Sequence, residues 1–410
     1  MKIQKIPLIF IIFGFMLSCI YSVIIIKKFD KNFTGSDSSI QNFIIKGDTK
    51  NYLDEAFIIK SQIKENVEFD KLGTEYRISY LYPRLLALFF LLSDEEIKEK
   101  SKNNKHEFIY KINNKKTFFL IFQSILYYLS ILYLYKKIKK KIDYKNLNIL
   151  IFFLCFEPTI LQFHSNILTE SIYFTLLIFL ISLLIDFKNN FKYHFMIGLL
   201  LGIMYLQRSA ALYLIFPIII YYILNLKNFK IFMKYIFFII IGQILILSIL
   251  GYNNYKRSGV FHVIPFQMKH TAWFYLSDNI VSSSKNIDIS TVYQKRLNDE
   301  KKWKEENNIN FESEKDRLRL YDYYQKYFFE NFLQNPLTGL KIIIWKSLQT
   351  SILDPGMVYS SMKQDHTINR YWENSFFSIS ERIIYSLIIY FISICGAFYF
   401  IKKKDYLLPF

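Results

Sequence analysis

The chain has 410 residues, of which 52% are hydrophobic and 21% charged, and its formal net charge is +18. The apolar residues fall in long blocks rather than being spread along the chain, which excludes an ordinary soluble domain. The three cysteines, Cys19, Cys155 and Cys395, all lie inside such blocks and the six histidines lack ligand spacing. This argues against a disulfide scaffold and leaves cofactors, including a divalent metal, without support in the sequence.

In chain order, residues 6–26 follow Lys2 and Lys5 and form an apolar run too long for a signal peptide, with no small-x-small cleavage site behind it. It is expected to remain as a first membrane span. A loop over 27–117 follows. Within it, residues 80–93 would rise only about 21 Å as a helix and read as a juxtamembrane or re-entrant segment. Further spans are expected at 118–135, 147–163, 171–185, 193–206, 210–226, 231–250 and 383–401. The clusters Lys136, Lys137, Lys139, Lys140, Lys141 and Lys402, Lys403, Lys404 should stay cytoplasmic, which puts both termini inside and the 27–117 loop outside. The basic excess then reads as topogenic charge, and nucleic acid is not an expected partner. Between 251 and 382 the chain is expected to lie mostly outside, helical and soluble in character over 283–331, with an interfacial amphipathic helix at 340–353.

The expected fold class is therefore all-α, a polytopic transmembrane bundle of about eight spans, or about ten if 80–93 and 340–353 also cross. Its expected divisions are a core over 1–250, an extracytoplasmic region over 251–382, and a last span with a cytoplasmic tail over 383–410.

Candidate site residues are the ionisable and aromatic groups of the outer loops and the charges set among apolar segments. A helix starting at Asp48 would place Asp48, Tyr52 and Ala56 on one face. Its carboxylate would either cap backbone N–H groups or carry chemistry, with Asp54 and Glu55 close behind it in sequence. Arg77, Tyr82 and Pro83 would shape the loop, Arg77 through a salt bridge or a phosphate contact. Glu157 precedes Pro158 inside an apolar run and either lines a cavity or is structurally bonded. Glu170 opens a span, where it either complements the helix N-terminus or lines a site. Arg208, between two apolar segments, either snorkels or clamps a phosphate with its guanidinium fork.

The succession Asp48-x-x-x-Tyr52-x-x-x-Ala56, Arg77-x-x-x-x-Tyr82-Pro83-x-x-Leu86-Ala87, Thr169-Glu170-Ser171 and Gly198-x-x-x-Gly202 with Gln207-Arg208 resembles the GT-C superfamily of membrane glycosyltransferases. The likeness is greatest to bacterial relatives of protein O-mannosyltransferases and of the lipid A aminoarabinose transferase. It runs from the first span to about residue 217.

The resemblance implies an inverting transfer of a sugar from a polyprenyl-phosphate carrier to a hydroxyl on an extracytoplasmic lipid, glycan or protein. It implies a bacterial plasma-membrane location with the site facing outward. It also implies that Asp48 is the catalytic base, although the family's adjacent Asp-Glu pair is here Asp48-Thr49. Arg208 would anchor phosphate, while Glu170 orients an acceptor or a neighbouring cation. Two rival readings are a transporter or flippase for a lipid-linked or anionic substrate, with Glu157 and Arg208 as its markers, and a polysaccharide polymerase. The sequence shows no pair of related halves of the kind many transporters have.

Overall fold

The computed structural model describes residues 6–31, 48–65, 79–91, 98–102, 105–109, 114–164, 167, 169–226, 228–263, 266–310 and 313–352. The chain forms two compact units, Met1–Pro265 and Phe266–Phe410.

The first unit contains α1 (Ile6–Lys31), α2 (Asp48–Glu65), α3 (Leu81–Leu91) and a hairpin of β1 (Lys98–Lys102) and β2 (Lys105–Ile109). Then come α4 (Asn114–Ile138), α5 (Tyr144–Phe156), α6 (Pro158–His164), α7 (Thr169–Ile185) and α8 (Phe191–Gln207). A 3-10 segment, Ser209–Leu214, leads into α9 (Ile215–Asn225) and α10 (Phe229–Ser258). The architecture is thus helical as expected, with one antiparallel hairpin, pairing Lys98 with Ile109 and Lys102 with Lys105, as an addition.

Short turns between helices α4 to α10 give the bundle two chemically different ends. At one end Asp143, Asn190 and Asn228 start α5, α8 and α10 by accepting hydrogen bonds from the free N–H groups of Asn146, Lys192 and Lys230. This end is basic: Lys137 Nζ donates to Asp186 Oδ2 at 2.6 Å, and Lys141 donates to the Ile185 carbonyl. At the other end lie the starts of α4 and α7 and the ends of α6, α8 and α10. Helix α10 stops at Gly259, whose φ of 71° closes the helix through an N–H to the Tyr255 carbonyl at 2.8 Å.

Each expected span up to residue 250 overlaps described helix, with 147–163 divided between α5 and α6 and 210–226 between the 3-10 segment and α9. By length and composition, Phe118–Ile138 and Phe229–Lys256 are long and apolar enough to cross a bilayer. Ile6–Ile20, Tyr144–Phe156, Thr169–Ile185 and Ser209–Asn225 are shorter apolar helices. The expected span 383–401 lies outside the described residues. Helix α3, at 11 residues, rises about 16 Å, short of a crossing.

Within the expected span 147–163 the chain breaks at Glu157, between α5 and α6. Pro158 holds its predecessor in extended backbone, φ −61° and ψ 120°, and suits the first position of a helix, where no N–H is needed.

Small residues set the closest approach in the bundle. A Cβ on Gly198 would strike the Ile239 carbonyl, one on Gly202 the Ile246 side chain, and one on Gly242 the Phe195 carbonyl. The Gly198-x-x-x-Gly202 spacing therefore lets α8 and α10 pack backbone to backbone. Helix α1 is fastened to α4 by a 2.9 Å hydrogen bond between the Ser18 and Ser124 hydroxyls.

The second unit contains α11 (Phe266–Lys285), α12 (Ile289–Glu306), α13 (Glu314–Gln334) and α14 (Pro336–Ile352). Within 283–331 the described residues form α12 and most of α13, and helix α14 covers most of 340–353. Asp288 and Ser313 cap α12 and α13 through the N–H groups of Ser290 and Asp316. Inside, Arg296 Nε lies 2.9 and 3.0 Å from the Asp278 carboxylate oxygens, and Arg296 Nη1 lies 3.5 Å from Glu300. Burial raises the Asp278 carboxyl above its ordinary pKa, with Arg296 opposing the shift. Trp303 stacks on Tyr323 at 4.7 Å beside the buried Leu320 and Tyr324.

Candidate active site

Helix α2 begins at Asp48, and its buried face carries Tyr52, Leu53, Ala56 and Phe57. Those residues join Tyr82, Leu86, Ala87, Phe119, Ile167 and Ile172 in one core cluster. The Tyr52 and Tyr82 rings meet edge to face at 5.1 Å, and Tyr82 meets Phe119 at 5.6 Å. The shared face expected for Tyr52 and Ala56 is therefore present, and it packs α2 onto α3 and α4. Tyr82 donates its hydroxyl to Gln123 Oε1 at 3.0 Å, and Gln123 Nε2 donates to the His164 carbonyl at 3.2 Å. The next link is His164 Nδ1, 2.5 Å from the Ser171 hydroxyl. This buried chain of polar groups joins α3, α4, α6 and α7 beneath the Thr169–Ser171 turn.

Above that network, three consecutive residues at the end of α8 each reach a different group. The Leu206 carbonyl accepts from the Tyr80 N–H at 2.9 Å and from the Ser79 hydroxyl at 3.2 Å. Gln207 Nε2 donates to the Thr169 carbonyl at 3.0 Å. Arg208 Nη1 pairs with Glu170 Oε1, while Glu170 Oε2 accepts from the Thr169 hydroxyl at 3.1 Å.

Two residues that sequence spacing leaves apart, Glu170 and Arg208, thus form one ion pair. Its side chains keep 23% and 41% of their exposure respectively, so it is reachable from outside the protein. Burial disfavours the Arg208 charge, but the Glu170 carboxylate outweighs that penalty, with help from Tyr52 and Tyr173, and raises the guanidinium above its ordinary pKa.

Tyr80 and Arg84 extend this end of the bundle. Arg84 Nη1 donates to the Tyr80 carbonyl at 2.7 Å, lies over the Tyr80 ring at 3.5 Å and is 4.0 Å from Glu55. Asn253 Nδ2 donates to the Tyr80 hydroxyl at 2.5 Å, which ties α10 to α3.

Glu157 has a different use. Its Oε2 accepts from the Ile160 N–H at 2.6 Å, which makes it the cap of α6 with Pro158 at the first helical position. The observed contact is to backbone rather than to another charge. Arg77 lies outside the described residues, and the described parts of Asp48 and Asp54 are their backbones in α2.

Tyr80, Arg84, Gln123 and His164 are not among the residues expected at the site, and Ser171 and Gln207 entered only as motif neighbours of Glu170 and Arg208. The signal that singled out Glu157, a polar residue interrupting an apolar run, also marks Gln123, His164 and Gln207. Among the described residues no three His, Cys, Asp or Glu side chains gather as a metal-binding group.

Taken with the apolar helices around it, this geometry defines a helical membrane protein with a charged site at one end of its bundle. A family model described as dolichyl-phosphate-mannose-protein mannosyltransferase matches residues 106–252, which cover α4 to most of α10 and include Glu170 and Arg208. The match is consistent with a membrane glycosyltransferase of the GT-C type. No curated protein and no solved structure matches the chain.

Proposed function

We propose that the chain is an inverting glycosyltransferase that moves a sugar from a polyprenyl-phosphate carrier to a hydroxyl on an extracytoplasmic acceptor, whether glycan, lipid or protein. The observation that supports this reading is the part-exposed Arg208, paired with Glu170 at the bundle end where α8 stops and α7 starts. Helix α2, which starts at Asp48, packs through Tyr52 and Ala56 into the same core cluster as Ile167 and Ile172, which flank Glu170 in sequence.

The reaction makes modest demands. Asp48 removes the proton from the acceptor hydroxyl as its oxygen bonds to the anomeric carbon, and the bond from that carbon to the phosphate oxygen breaks. The electron pair leaves with the carrier phosphate, a stable anion that needs no proton and rests against Arg208. A general acid is unnecessary. The opposite, lysine-rich end of the bundle favours a cytoplasmic position, which turns the Arg208 end outward. On this topology both termini are cytoplasmic, residues 1–250 are the catalytic core, 251–382 lie mostly outside, and 383–410 supply a last span and tail. The membrane is the bacterial plasma membrane, and the lipid chain of the donor enters laterally between helices.

The test incubates purified protein with a panel of polyprenyl-phosphate sugars and measures released polyprenyl phosphate. Release with at least one sugar is expected, accompanied by a glycosylated hydroxyl product. Carriage of the intact lipid-linked sugar across a proteoliposome membrane, without cleavage, would replace this reading with a transporter.

A further inference from the structure

A carboxylate is an unexpected neighbour for the cation of an anion site. Glu170 is held firmly there: Oε1 pairs with Arg208, Oε2 is held by the Thr169 hydroxyl, and the Thr169 carbonyl is held by Gln207. It is also more enclosed than its partner, with 23% exposure against 41%. A guanidinium presents five N–H donors, so one carboxylate oxygen leaves Arg208 with donors to offer a second anion.

The charges of donor and product differ. A polyprenyl-phosphate sugar is a phosphodiester with a single negative charge. The polyprenyl phosphate left after transfer is a monoester that carries about −1.5 to −2 near neutral pH. A bare arginine would therefore hold the spent carrier more tightly than the fresh donor, and the site would stall on product.

We propose that Glu170 is a resident competitor for the carrier phosphate, repelling the more highly charged product more than the donor and so setting product release. This rests on the assignment of Arg208 as the phosphate anchor. Repulsion scales with the charge on the phosphate, so a fixed carboxylate beside Arg208 weakens monoester binding by nearly twice the free energy it removes from diester binding.

The experiment measures dissociation constants of the full-length protein for farnesyl phosphate and for its methyl diester. Wild type, Glu170→Gln, Glu170→Ala, Glu170→Asp and Arg208→Ala are compared, each checked for thermal unfolding in the same detergent. In the neutral Glu170 variants the monoester should tighten roughly tenfold and the diester roughly threefold, a scale set by a partly screened charge pair. Glu170→Asp, which keeps the charge, should stay near the wild-type ratio of monoester to diester affinity. Arg208→Ala should weaken both ligands.

If the neutral variants bind the monoester more weakly, or leave the ratio unchanged, while Arg208→Ala weakens binding, Glu170 only positions Arg208 and the competitor role is wrong. Unchanged binding in Arg208→Ala would instead overturn the phosphate-anchor assignment, and the competitor role with it. Should Glu170→Gln unfold early, Glu170→Ala decides the same question.

Discussion

Two arginine–carboxylate pairs, one in each unit, share their chemistry and differ in setting. Arg296 and Asp278 retain only 3% and 6% side-chain exposure, and Arg296 spends both Nε and Nη1 on carboxylates. Arg208 and Glu170 lie at a helix end, with the arginine two-fifths exposed. A buried pair of this kind is held by the cost of stranding either charge, whereas an open pair gains little from its Coulomb attraction in water. The first therefore organises a fold, and the second leaves guanidinium donors to offer a ligand beside the resident carboxylate.

The largest effect expected from breaking this contrast is in the second unit. Arg296→Met leaves Asp278 buried without its counterion and should lower unfolding stability by about 3–5 kcal/mol in a denaturant titration. Replacing Asp278 and Arg296 together by Leu and Met should recover much of that loss, because Asp278 is gone and Glu300 keeps its ion pair with Lys304.

The open pair should respond in the opposite way. Arg208→Ala should change unfolding stability by less than about 1 kcal/mol but weaken farnesyl phosphate binding by roughly ten- to a hundredfold, the loss of a charged hydrogen-bonding partner. Equal damage to stability in both arginine variants would erase the distinction between them. The smallest expected effect tests the network below the site. Tyr82→Phe removes the hydroxyl that donates to Gln123 and should cost about 1 kcal/mol of stability with farnesyl phosphate affinity retained.

The same contrast explains what was legible in the sequence. Apolar block lengths located the apolar helices of the first unit, whereas the caps Asp143, Asn190 and Asn228 come from the structure. The Tyr52 and Ala56 face followed from four-residue spacing. Gly198 and Gly202 were recognisable as a pattern, but only the tertiary structure reveals α10 as the helix they meet.

Glu170 and Arg208 could each be singled out, yet their pairing depends on how α7 and α8 are juxtaposed, which no local spacing encodes. Glu157 was ambiguous because its cost in an apolar run is visible in sequence, whereas the Ile160 N–H that relieves it appears only once Pro158 starts a new helix. The 2.5 Å contact between His164 and Ser171 depends on how α6 and α7 meet, which the sequence does not display.

The most direct test of the account separates chemistry from binding at Asp48. Single-turnover release of polyprenyl phosphate should be abolished in Asp48→Asn, while farnesyl phosphate binding and thermal unfolding stay at wild-type values. Wild-type release rates from purified Asp48→Asn protein would contradict the assignment of Asp48 as the base, and with it the mechanism proposed for this site.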